Sequence, residues 1–121
     1  MINKFEKLDA WKSSKDLAID VYNITDNYPK SEIFSLTSQT NRACVSIPAN
    51  VAEGCSRSSD KDFSRFLEIS LGSAFELKTL IEIAFERGYF DSSVKNILDK
   101  KITKCVMLIF GLKRSLNEPS K

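Results

Sequence analysis

Apolar residues return along the chain at steps of three and four, and the few glycines and prolines cut that rhythm into four pieces. From about Asp9 to Asp26, Leu17, Val21, Ile24 and Tyr28 fall at i, i+4, i+7 and i+11, with Trp11, Ala18 and Tyr22 beside them, which predicts a helix that Pro29 ends. A second helix begins somewhere between Ser31 and Thr37, where several capping residues compete, and runs to Gly54 or just beyond, with that glycine as its stop. The third opens on Ser59-Asp60-Lys61-Asp62, which resembles a capping box, and ends at Gly88. Along it Phe63, Leu67, Ser70, Ala74, Leu77, Ile81 and Ala84 step by four and three, the heptad spacing of a helix lying nearly parallel to its neighbours. The fourth opens near Asp91 or Ser92, carries Val94, Leu98, Ile102, Cys105, Ile109, Leu112 and Leu116 on one face, and frays before Pro119. No alternating β-branched run bounded by turn residues occurs, so no strand is predicted.

Short connections between consecutive long helices make neighbours antiparallel, which predicts an all-α, up-down-up-down four-helix bundle occupying residues 1–121 as a single domain. Helices three and four are apolar on more than one face. Phe66, Leu71, Phe75, Leu80 and Phe85 lie off the main seam, and Cys105 to Phe110 is an unbroken apolar run that must be buried in protein. Patches of that size predict self-association into a closed ring or another symmetric oligomer.

Composition narrows the function. Of 121 residues 42% are hydrophobic and 28% charged, with four glycines and three prolines, so collagen-like and disordered classes are excluded. The chain has no histidine, and so lacks the commonest general base and metal ligand. The N-terminal MINKFEKLDAWK has no signal-peptide core and no window is long and apolar enough to span a membrane, so a cytoplasmic protein without a membrane partner is expected. Cys44, Cys55 and Cys105 are odd in number and widely spaced, and read as reduced thiols rather than a disulfide framework or zinc site. No catalytic, cofactor or metal site is predicted.

Two groups of residues remain as candidate sites. In the second helix Arg42, Ser46, Asn50 and Glu53 fall at i, i+4, i+8 and i+11, a polar line on a helix otherwise built from Ala, Val, Ile and Cys, and Gln39 extends it by a turn. It reads either as a site, with Arg42 and Glu53 as charged anchors and Asn50 as a bidentate amide, or as a satisfied network that fixes bundle register or a subunit interface. Pro48 lies inside this helix and deletes one N–H donor. The second group is electrostatic. The formal charge is only +2, but residues 59–86 carry three basic and six acidic groups, while residues 87–121 carry eight basic and three acidic ones. Lys95, Lys100, Lys101, Lys104, Lys113 and Arg114 give the last helix a basic side. Either acidic helix three neutralises it, or it is a phosphate-contacting strip with salt-sensitive binding and little base specificity, since no aromatic interleaves with these lysines.

These residues resemble a known family. Phe5-x-x-Leu8-x-x-Trp11-Lys12, Tyr28-Pro29-x-x-Glu32, Leu36-Thr37-Ser38-Gln39-x-x-Arg42-Ala43, the run Val45 to Gly54, Phe66-Leu67 with Gly72-Ser73, and Glu76-Leu77 follow in order the pattern of proteins encoded within intervening sequences of bacterial 23S ribosomal RNA genes, the S23 family. The resemblance implies homopentameric rings of antiparallel four-helix bundles and proximity to RNA, with no established catalytic reaction. A related branch serves as the accessory subunit of diversity-generating retroelement reverse transcriptases. The modest charge, together with Cys44 and Cys55 in the central motif, tells against a reverse-transcriptase partner for this chain. The leading expectation is a non-enzymatic oligomeric scaffold or RNA-associated binding protein. An accessory subunit for a partner protein comes next, and a small hydrolase or nuclease is disfavoured by the missing histidine.

Overall fold

In a computed structural model of the chain, which describes residues 4–117, four helices pack around one apolar core: α1 (Asp9–Thr25), α2 (Leu36–Cys55), α3 (Asp60–Glu86) and α4 (Ser92–Asn117). Short 3-10 turns at Lys4–Lys7 and Lys30–Glu32 precede the first two. The ends follow from local chemistry. Ser59 Oγ accepts the Asp62 N–H at 3.1 Å to start α3, and Asp91 Oδ1 accepts the Val94 N–H at 3.0 Å to start α4. Gly88, at φ +83°, takes the left-handed conformation that stops α3. The start of α2 has no side-chain cap from Ser35. Glu32 Oε1 accepts the Leu36 N–H at 3.3 Å instead, which is why the competing Ser and Thr residues did not mark the boundary.

The chain runs up, down, up, down. Asn41 and Cys44 on α2 meet Thr25 and Ala18 on α1, so α2 residue numbers rise as those on α1 fall; Asp20 and Ser13 meet Lys101 and Cys105 in the same sense. Each helix packs beside two others, α1 against α2 and α4, and α3 against α2 and α4, while among the described residues the backbones of the diagonal pairs stay more than 8 Å apart. The heptad seam faces inward as expected: Leu67, Ser70, Ala74, Leu77, Ile81 and Ala84 are buried, as are Leu98, Ile102, Cys105 and Ile109 opposite them. Ser70 is tolerated in that core because its Oγ donates to the Ile47 carbonyl at 2.8 Å. At ~1.5 Å per residue α3 is ~40 Å long and sets the length of the bundle.

Three expectations change. α2 ends at Cys55, just beyond Gly54 as expected, but Gly54 is not a left-handed stop; it is a point of close approach between α2 and α3. A Cβ there would lie 2.8 Å from Phe63 Cδ1, 2.9 Å from Phe66 Cβ and 3.2 Å from the Phe63 carbonyl oxygen. The off-seam residues of α3 are mostly covered within one chain. Leu71 and Leu80 are buried, Phe66 lies under the guanidinium groups of Arg57 and Arg65, and Phe85 packs on Phe90 and the Lys95 ammonium, which leaves Phe75 exposed. The run from Cys105 to Phe110 is not wholly buried. Its length exceeds the width of one helix face, so Cys105 and Ile109 point into the core while Met107 and Phe110 point out, 67% and 47% exposed. Among the described residues no helix is long and apolar enough to cross a membrane.

Candidate functional site

The polar line of α2 divides into three parts. Its middle stitches helices together: Asn50 Nδ2 donates to the Ser46 carbonyl at 2.8 Å and to Ser46 Oγ at 3.0 Å, and Ser46 Oγ pairs with Ser73 Oγ of α3 at 2.7 Å. The Ser46–Ser73 bond joins α2 to α3, and Asn50 braces Ser46 from within α2. At the lower end Gln39 and Arg42 are exposed and line, with Ala43, Ser46, Ser73 and Glu76, an open cleft of about 430 Å³. At the upper end Glu53 turns away and pairs with Arg57, one helical turn on. Arg42 and Glu53 therefore do not act as a charged pair: eleven residues separate them by ~16 Å along the helix. The sequence showed their shared face and could not show that Arg57, just beyond the helix, would capture the carboxylate.

The basic residues of α4 also sort into two sets, because α4 lies between α1 and acidic α3. Lys95 is bridged by Glu82 at 2.8 Å and Asp99 at 2.7 Å, and Lys78 of α3 binds the same two carboxylates at 2.7 Å each. The hydrogen bonds from Lys78 and Lys95 hold the Glu82 carboxyl below its ordinary range. Burial alone would raise Asp99, but the same two ammonium groups outweigh it and lower it. Lys101 pairs with Asp20 of α1, and Lys113 approaches Glu68 of α3 at 3.2 Å. Lys100, Lys104 and Arg114 are exposed and have no carboxylate within bridging distance among the described residues. They fall at i, i+4 and i+14, so they share the outer face of α4 with Met107.

Near its C-terminal end that face opens into a depression of about 460 Å³ lined by Met107, Phe110, Lys113 and Arg114. An aromatic is therefore present among the cations. Sequence reasoning missed Phe110 because it sits inside the apolar run. The signal was available: Ile109 belongs to the seam, and the next residue on a helix is turned ~100° away from it.

The remaining reactive groups are held quiet. Cys44 and Cys105 are fully buried; burial pushes the Cys44 thiol up to about 12 and raises that of Cys105 as well. Cys55 is half-buried at the end of α2. Among the described residues no group of three Cys, Asp or Glu side chains is placed to hold a metal ion.

The family pattern of the 23S rRNA-intervening sequence proteins matches residues 6–111, a span that includes the whole α2 line and all of α4 up to Gly111. The chain belongs to that family. Among solved structures, this 23S rRNA-intervening sequence protein is similar to a protein of unknown function from the S23 ribosomal protein family of Bacteroides thetaiotaomicron VPI-5482. The TM-score is 0.80 at 22% identity, over 87% of this chain and 95% of the other. That likeness carries the four-helix fold. No curated protein matches the sequence. Ser46, Pro48, Asn50 and Gly54 lie in the matched region; of these, Ser46 bonds Ser73 across to α3 and Gly54 lies against Phe63 and Phe66 of α3, while Asn50 braces Ser46 within α2. Lys113 and Arg114 lie just beyond it.

Proposed function

We propose that this 23S rRNA-intervening sequence protein is a non-enzymatic, self-associating binding module that offers the outer face of α4 to the phosphate backbone of RNA. The observation that carries the reading is the sorting of α4's cations: among the described residues Lys100, Lys104 and Arg114, spread over ~21 Å of helix, have no carboxylate partner, while Lys95, Lys101 and Lys113 are engaged by carboxylates of the same chain. Cations left without an internal partner are available to replace the counterions of a phosphate chain. Met107 and Phe110 add an apolar and aromatic surface against which a base or ribose can lie, so single-stranded RNA is favoured over a rigid duplex. Contacts of this kind give little base specificity. Self-association repeats the face once per copy and multiplies a modest field. The absence of histidine and the protonated, buried thiols of Cys44 and Cys105 speak for binding rather than catalysis.

A gel-shift titration against single-stranded and structured RNA at two salt concentrations tests the proposal. The expected result is binding that weakens with salt and falls sharply in a Lys100→Ala/Lys104→Ala variant with unchanged helicity. Unchanged affinity in that variant would retire the phosphate reading. A partner protein seated on Met107 and Phe110 would instead give weakly salt-dependent binding, the outcome that favours an accessory subunit.

A further inference from the structure

The open cleft between α2 and α3 gathers four polar groups that find no partner among the described residues. The first is a hydroxyl hydrogen at its floor. Ser46 Oγ accepts from Asn50 Nδ2 at 3.0 Å and shares one hydrogen with Ser73 Oγ at 2.7 Å. Two hydroxyls carry two hydrogens, and the bond between them consumes one. Whichever serine donates, the other hydrogen has no acceptor among the described residues, although Ser73 is only 9% exposed. A donor in that position is completed by an acceptor brought into the cleft.

The other three stand on its walls. Because α2 and α3 are antiparallel, Arg42, four residues before Ser46, and Glu76, three residues after Ser73, both lie one turn from the serine pair in the same direction. They line the same cleft from opposite sides, yet they are not within bridging distance of each other, and neither has another oppositely charged partner among the described residues. Charges farther along the same helices are paired, Glu53 with Arg57 and Lys78 with Glu82. Gln39 brings a side-chain amide one turn beyond Arg42. All of these residues fall in the segments that the sequence singles out, Leu36 to Ala43, Val45 to Gly54, Gly72-Ser73 and Glu76-Leu77, and RNA binding along α4 makes no use of them.

We infer that this cleft binds a free α-amino acid, its carboxylate on Arg42 and the spare serine hydroxyl, its ammonium on Glu76. The planar fork of a guanidinium matches a carboxylate with two parallel N–H bonds, and a carboxylate accepts the hydroxyl hydrogen as well. The facing charges decide the ligand class. A phosphate or other polyanion sets its charge against Glu76, and a simple amine sets its charge against Arg42. A ligand with carboxylate and ammonium on one carbon satisfies both walls. The space, about 430 Å³, is of the size that small-molecule sites occupy, and Ala43 lines it without filling it. Because the cleft is open, its charges stay partly hydrated, and the expected dissociation constant is about 0.1 to 1 mM.

Saturation-transfer NMR of the full chain with each proteinogenic α-amino acid, up to about 10 mM, tests the inference. At least one amino acid should bind saturably. Its amide, which lacks the carboxylate, and its N-acetyl derivative, which lacks the ammonium, should each bind about tenfold more weakly or worse. Arg42→Met and Glu76→Gln, both surface changes, should weaken the amino acid to the same extent while helicity and assembly mass match wild type. The inference is overturned if no amino acid binds, if the amide and N-acetyl forms bind as well as the parent, or if both variants bind as wild type does. A changed assembly mass in Arg42→Met/Glu76→Gln also overturns it, by assigning the cleft to a contact between chains. Lys100→Ala/Lys104→Ala should bind the amino acid normally, so this inference and the RNA reading stand or fall separately.

Discussion

Replacing Gly54 with alanine destabilises the bundle, although the same change in most helix interiors does the reverse. Alanine gains ~1 kcal/mol over glycine in helix propensity. At Gly54 the added methyl would lie 2.8 Å from Phe63 Cδ1, a ring edge that can swing, but also 2.9 Å from Phe66 Cβ and 3.2 Å from the Phe63 carbonyl oxygen, which move only if α3 moves. Overpacking of this kind costs ~1 to 3 kcal/mol, and the backbone contacts put it at the upper end, so the net loss is about 1 to 2 kcal/mol. In a chain of 121 residues that lowers Tm by ~3 to 8 °C. Gly72 and Gly111 are internal controls: both lie inside helices and have nothing within 4 Å of where a Cβ would sit, so Gly72→Ala and Gly111→Ala each stabilise by ~0.5 to 1 kcal/mol. Urea unfolding followed by helix circular dichroism, at one protein concentration for all variants, reads the sign of each change. A Gly54→Ala protein as stable as the other two variants would refute the close α2–α3 approach.

Gly88→Ala, forced into a left-handed backbone at φ +83°, should lose ~1 kcal/mol in the same assay. The Lys78, Glu82, Lys95 and Asp99 cluster predicts an acid limb. Both carboxyls are lowered in the folded state, so their contribution is complete above the unfolded carboxylate range near pH 4 and is lost as pH falls through the lower folded values. Lys95→Met should flatten that limb in a series of urea midpoints from pH 2 to 6, and an unchanged limb would show that the cluster is not its source. At pH 8 a thiol reagent should label Cys55 in the folded protein, and reach Cys44 and Cys105 only on unfolding; three equivalents released at once from native protein would contradict their burial.

Much of this architecture was legible in the residues. Steps of three and four placed α1, α3 and α4 to within a residue or two, because their apolar faces are regular and Ser59, Gly88 and Asp91 punctuate them with recognisable chemistry. The start of α2 was not legible, since its first free N–H is taken by Glu32, an acceptor four residues upstream in a 3-10 turn. At the candidate sites the faces were readable and the partners were not. Helical spacing put Gln39, Arg42, Ser46, Asn50 and Glu53 on one line, yet Ser73 and Arg57 decide what Ser46 and Glu53 do. Likewise, a count of cations in α4 could not separate Lys95, Lys101 and Lys113 from Lys100, Lys104 and Arg114. That division depends on Glu82, Asp20 and Glu68, which chain topology brings alongside.

The central claim, that Lys100, Lys104 and Arg114 of α4 meet phosphate, is tested most directly by the salt dependence of RNA binding. Fluorescence anisotropy of a labelled single-stranded RNA across a KCl series gives the slope of log affinity against log salt. The account predicts that Lys100→Ala/Lys104→Ala/Arg114→Ala makes this slope shallower by about 2, from three lost contacts at ~0.7 each, while Lys95→Ala/Lys101→Ala/Lys113→Ala changes it by less than one contact's worth. Equal slopes for wild type and the first variant, or an equal loss in both variants, would contradict it.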